Sequence, residues 1–164
     1  MKSKIHEHKK NNFTQVSKKV FLAMAIACSL TLFAQTEEKS KKITVPANVK
    51  EAFAKDFPEN KAKWEMEDGD YEAHLKINGS DASAIYDKKG HRKAVELTVA
   101  TSELPLEVLE YVKKKYPTSK IVETAKTTDD KNTVTYEAAI GKNGKTFDLI
   151  FDSNGKFIKI VEAD

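Results

Sequence analysis

Two phrases, IYDKKG (Ile85–Gly90) and IFDSNG (Ile150–Gly155), run apolar, aromatic, Asp, two polar residues, Gly, and start 65 residues apart. One such phrase is a common hairpin turn: Asp accepts backbone hydrogen bonds and Gly takes the left-handed conformation that closes the loop. The second belongs to a longer match. VPANVKEAFAKDFP (Val45–Pro58) answers to LPLEVLEYVKKKYP (Leu104–Pro117) at an offset of 59. Tyr71-Glu72-Ala73 answers to Tyr136-Glu137-Ala138, and Asn78-Gly79 to Asn143-Gly144, at an offset of 65. The jump places a six-residue insertion in TTDDKN, Thr127 to Asn132. A Pro-bounded helix, a Tyr-Glu-Ala strand and two turns in the same order read as a duplicated unit.

Each unit reads as one helix followed by four strands. Pro46 and Pro105 suit a first helical turn, and Pro58 and Pro117 end the helix by forcing the residue before them out of the α region. Val49, Ala52, Phe53 and Phe57, and likewise Val108, Tyr111, Val112 and Tyr116, form one apolar stripe per helix. Tyr71, Ala73, Leu75 and Ile77 alternate with Glu72, His74 and Lys76. Val134, Tyr136, Ala138 and Ile140 alternate with Thr135, Glu137 and Ala139, and Phe147, Leu149 and Phe151 form another inward set. That period of two predicts antiparallel strands with one buried and one wet face. KAKWEMED (Lys61–Asp68) and KIVETAK (Lys120–Lys126) are the first strands, RKAVELTV and KFIKIVEA the fourth, and Thr101–Leu104 the connector. A unit of about 60 residues is marginal alone. The fold expected is α+β: tandem helix-plus-four-stranded antiparallel units, with the helices on one face of a continuous curved sheet.

The N-terminus reads separately. Residues 1–19 are polar and basic, and Val20 to Phe33 is an apolar run shorter than the roughly 20 residues a membrane span needs. This is the pattern of a secretory signal, with cleavage expected after Ala34. Residues 35–43 are then a flexible linker, 44–100 the first unit and 101–164 the second. Cys28, in AIAC, offers a lesser alternative, a lipid anchor. Of 28 basic and 25 acidic residues, the leader holds six lysines and Glu7. What remains has 22 basic and 24 acidic residues, a net charge of −2. The basicity belongs to the leader, so nothing implies a nucleic-acid partner. The chain after Ala34 has no cysteine, which leaves neither disulfides nor thiol catalysis. A periplasmic or secreted location follows, with no membrane span after cleavage.

Two Pro-bounded helices, Tyr-Glu-Ala strands, Asn-Gly turns and aromatic-Asp-x-x-Gly turns behind a signal sequence resemble the PepSY-like periplasmic proteins of the Bacteroidetes. The resemblance covers Ile43 to Asp164. It implies a fold similar to that of the β-lactamase inhibitor protein and a scaffold with no catalytic pattern to carry over. The first unit departs from the second at Ala82 and Ala84, which stand where the second has Phe147 and Leu149, so its third strand is expected to pack less tightly.

No chemistry emerges from the remaining motifs. His74 lies on the outward strand face and His91 in a turn. Neither has a second ligand at metal spacing, so both read as solvated. Asp-x-x-Gly supplies too few oxygens for calcium. The acids Glu65, Glu67, Asp68, Asp70 and Glu72, and the lysines Lys113, Lys114 and Lys115, read as solvated faces. No Ser-His-Asp order and no phosphate loop is present. Trp64 shares parity with Ala62 and Met66 and reads as core. No enzyme, cofactor or metal is expected. What is left is the polar sheet face: Glu65, Glu72, His74, Lys76, Thr135 and Glu137. In the inhibitor-like fold that face docks a protein, so the resemblance implies a non-enzymatic binding module for an envelope or secreted protein. The alternative is binding of a small ligand or an envelope polymer, glycan or lipid, near Trp64 or between helices and sheet.

Overall fold

A computed structural model describes residues 43–162. The expected signal sequence and cleavage point, Cys28 and most of the expected linker lie outside the described residues. Within them α1 (Ala47–Asp56) is followed by β1 (Lys63–Glu67), β2 (Asp70–Ile77), β3 (Ser80–Tyr86) and β4 (Arg92–Thr98). A short 3-10 turn, Thr101–Glu103, leads into α2 (Leu106–Lys115) and then β5 (Ile121–Asp129), β6 (Val134–Lys142), β7 (Lys145–Asp152) and β8 (Phe157–Glu162). All eight strands form a single antiparallel sheet in sequence order.

The helix boundaries follow the prolines, with one adjustment. Pro46 and Pro105 sit at the N-cap, one residue outside the helix, with ψ of 152° and 141°. A proline there gives up no helical hydrogen bond. At the other end Phe57 and Tyr116 have φ of −135° and −132°, forced out of the helix by the following proline. Each still donates its N–H to the residue four back, Phe53 and Val112, at 2.8 Å.

Residues directly opposite one another in an antiparallel ladder share a face, so the register fixes the layers. Trp64, Ala73, Ala84, Val95 and Thr128 form one row; Leu75, Ala82, Leu97, Lys126, Tyr136 and Phe151 form the next. Val49 and Phe53 of α1 pack with Ala73, Leu75, Ala82, Ala84 and Tyr86. Val108 and Val112 of α2 pack with Ala138, Ile140, Leu149 and Phe151. These strand residues belong to one face, so both helices cover the same side of the sheet. The small side chains Ala82 and Ala84 are fully enclosed. Aromatic rings supply the bulk beside them: Phe53 meets Trp64 edge-on at 5.3 Å and Tyr86 at 6.4 Å.

The Asp-x-x-Gly turns have the same build in both halves. Asp87 Oδ1 accepts from the N–H of Lys89 and His91, at 2.8 and 3.0 Å. Asp152 Oδ1 accepts from Asn154 and Lys156, both at 2.9 Å. Burial pushes the Asp87 carboxyl up, but the two amides and His91 outweigh it and hold the group below its ordinary range. Gly90 and Gly155 have φ of +82° and +77°. A bulge follows each turn, with Lys93 the extra residue in β4 and Ile158 in β8.

The two halves differ at TTDDKN. Only its last three residues are loop: Thr127, Thr128 and Asp129 continue β5 and pair with Glu96, Val95 and Ala94 of β4. The first strand of the first half, β1, has five residues at the sheet edge; its counterpart β5 has nine and sits in the interior. The extra length forms three of the five residue pairs between β4 and β5. The β5–β6 hairpin is closed by a third Asp turn, in which Asp129 Oδ1 accepts from Lys131 and Thr133 at 2.9 and 2.7 Å.

Candidate functional site

The face opposite the helices, the front, is built by the other residue parity. One row runs Glu65, Glu72, Ile85, Ala94, Asp129; the next runs Lys63, His74, Ser83, Glu96, Thr127, Thr135, Asp152. A third joins Thr98, Ala125, Glu137, Ile150 and Lys159, and a fourth Glu123, Ala139, Asp148 and Val161. All six residues picked from sequence therefore share the front.

The structure gathers them into two groups. Glu65 and Glu72 flank His74, with carboxylate oxygens 3.7 Å from Nε2 and 3.9 Å from Nδ1. Lys76 pairs with Asp81 at 2.7 Å. Thr135 and Glu137 lie on β6, four strand spacings from β2, or about 19 Å away at the usual inter-strand distance. Between them stand Ser83, Glu96 and Thr127, which alternation in the two Tyr-Glu-Ala strands did not reveal because they come from β3, β4 and β5.

The front is not simply wet, and two expectations change with it. β3, β6 and β7 each carry four or more consecutive buried residues, so both their faces are enclosed. Ile85, Ala94, Ala125, Ala139 and Ile150 bring apolar surface to the front, which is why charged parity there does not guarantee solvation. His74 is not a solvated histidine: its side chain is 22 % exposed and both ring nitrogens are buried without a hydrogen-bond partner. Glu137 is 4 % exposed, and Asp148, unremarked in the sequence, is fully buried.

These acids are held against their ordinary chemistry. Burial, then the charge of Glu123, pushes the Asp148 carboxyl up to about 6. Burial raises Glu137 further, joined by Glu96, Asp148 and Glu123 and opposed by Lys159. Half-buried Glu96 is raised by burial and then by Glu72, Glu123 and Asp148, while a 3.5 Å contact from the Thr127 hydroxyl opposes the shift. Burial alone raises Glu123. Glu137 Oε2 and both Asp148 oxygens accept no hydrogen bond. Among the described residues no group of three or more His, Cys, Asp or Glu is arranged to hold a metal ion.

The other sequence candidates are structural. Trp64 packs against Phe53 and lies 6.2 Å from the Tyr86 ring, so it is committed to the core beneath α1. Tyr86 donates to Asp56 Oδ2 at 2.9 Å, and Arg92 meets the same carboxylate at 3.1 Å. Burial first, and Asp56 second, raises the Tyr86 phenol. No helix among the described residues is long and apolar enough to cross a membrane.

An eight-stranded meander with both helices on one side has clear relatives. The family model described as "Putative beta-lactamase-inhibitor-like, PepSY-like" matches residues 34–94 and 71–159. The chain belongs to that PepSY-like family. Similar solved structures come from Bacteroides. A DUF2874 family protein from Bacteroides uniformis is 18 % identical, with 73 % of this chain and 90 % of that one covered and a TM-score of 0.66. A protein from Bacteroides eggerthii described as periplasmic is 14 % identical over the same shares, with a TM-score of 0.67. A BLIP-like protein from Bacteroides fragilis is 17 % identical, covering 74 % and 89 %, with a TM-score of 0.61. At these identities the likeness is one of fold. Comparison with curated proteins finds no match.

Proposed function

We propose that the protein is a periplasmic or secreted, non-enzymatic binding module, built from two duplicated helix-plus-four-strand units, that recognises another envelope or secreted protein through the sheet front. The observation that carries this reading is the front itself. It holds buried carboxylates whose oxygens accept no hydrogen bond, an arrangement costly in the free protein. The family description and the periplasmic description of the Bacteroides eggerthii structure support the location and the absence of catalysis. Glu65, Glu72, His74, Lys76, Thr135 and Glu137 are the proposed contact residues, with Ser83, Glu96 and Thr127 between them. Trp64, engaged by Phe53, lends no support to glycan stacking.

The test is capture of a partner from periplasmic extract by the tagged protein, compared with Glu72→Lys and Lys76→Glu variants. Loss of one specific captured protein on charge reversal is the expected outcome. Capture unchanged by both reversals removes the front from the reading.

A further inference from the structure

Glu72, Glu96, Glu123, Glu137 and Asp148 come from five different strands and all face the front. They act on one another: Glu72, Glu123 and Asp148 on Glu96, and Glu96, Glu123 and Asp148 on Glu137. Glu137 and Asp148 form the floor of this group, at 4 % and 0 % exposure, with three carboxylate oxygens lacking any donor. Glu72, Glu96 and Glu123 form a partly exposed rim. A buried acceptor without a donor costs the desolvation of that group. Its complement is a cation rich in N–H: an ammonium has three donors and a guanidinium five in a planar fork. The carboxylates are spread over five strands and do not converge in a metal-holding group. Several cationic side chains on one surface match that spread better than a single ion.

We propose that the front docks a protein partner through lysine or arginine side chains that pair with the partly exposed Glu72, Glu96 and Glu123, above the buried Glu137 and Asp148. The inference rests on the front being the docking face and adds the partner's chemistry. The groups that act on Glu137 are Glu96, Asp148, Glu123 and Lys159; Glu72 and His74 share the front with them. A partner cation placed among them favours the ionised acids, so binding releases protons.

The probe is a fluorescein-labelled nonapeptide of alternating Arg and Gly, with a Glu/Gly nonapeptide and calcium chloride as controls. The chain is expressed from residue 1 and purified as the cell processes it. The Arg peptide is expected to bind, more weakly as salt rises. Glu137→Gln and Asp148→Asn should each weaken it tenfold or more, while Glu110→Gln on the exposed side of α2 should not. Calorimetry in buffers of different ionisation heat should show proton release that shrinks in the two front variants. Thermal melts no lower than wild type in those variants show that lost binding is not lost folding. Equal binding of both peptides, indifference to Glu137→Gln and Asp148→Asn, or calcium binding tighter than the Arg peptide would overturn the proposal. If extract capture depends on Glu72 and Lys76 while the Arg peptide is ignored, the front docks a partner of other chemistry and this inference fails alone. Capture that ignores Glu72 and Lys76 defeats the docking reading as well.

Discussion

Gly90 and Gly155 do more than close their hairpins. A Cβ on Gly90 would lie 2.9 Å from the Asn48 carbonyl oxygen; one on Gly155 would lie 2.8 Å from Glu107 Cβ and 3.1 Å from Pro105 Cβ. Each turn is pressed against the start of its own helix, and Asn48 Nδ2 donates to the Lys88 carbonyl at 3.0 Å to hold one of them. Gly79 and Gly144 also have positive φ but nothing within 4 Å of an added Cβ. Gly144→Ala should therefore cost only the left-handed strain, about 1 kcal/mol. Gly155→Ala adds a steric clash and should cost about 2–4 kcal/mol in urea denaturation. The turn itself was legible in Asp-x-x-Gly. The contact with the helix was not, because it joins residues 42 positions apart in one half, Gly90 and Asn48, and 48 apart in the other, Gly155 and Glu107, that no local pattern connects.

Element boundaries were legible where one strand or helix answers to its own alternation. Both apolar helix stripes, and the alternation of β2, β6 and β7, follow from sequence period alone. β5 is the exception. The sequence ends this strand at Lys126 and places an insertion after it, yet Thr127, Thr128 and Asp129 are strand as well because β4 supplies their partners. Their polarity suits the front, where Thr127 is 5 % exposed beside Glu96. Thr127→Pro removes a ladder donor from an interior strand and should lower the unfolding free energy by about 3 kcal/mol or more. Ile158→Pro falls on the bulge of edge strand β8, where proline is tolerated, and should cost much less. Chemical denaturation of the two variants side by side checks the contrast. Equal losses would mean that β5 is not the join that the register describes.

Across the whole molecule the front trades stability for an unsatisfied surface. That it is polar could be read from alternation in β2 and β6. That its centre is buried could not, since Asp148 and Glu96 carry no motif and meet Glu137 only through the assembled sheet. The pH dependence follows from the sign of the shifts. A carboxyl raised in the folded state binds its proton more tightly there than in the unfolded chain, so stability falls as pH rises from the unfolded value through the folded one. For Asp148 that window runs from about 4 to about 6. For Glu96 and Glu137, raised further, it extends above neutrality. Asp87, lowered by its turn amides, contributes stability that is lost only below its ordinary range and leaves the interval from pH 5 to 8 untouched. Asp148→Asn and Glu137→Gln should each stabilise the protein at pH 8, by about 1–3 kcal/mol.

The most direct measurement is urea unfolding at pH 5 and pH 8 of the wild type and the Glu137→Gln, Asp148→Asn double variant. If the front holds buried acids in readiness for a cationic partner, the wild type unfolds at lower urea at pH 8 than at pH 5, and the double variant shows a higher midpoint at pH 8 and a much flatter profile. A wild-type midpoint that rises with pH, or a double variant weaker at pH 8, would contradict the account.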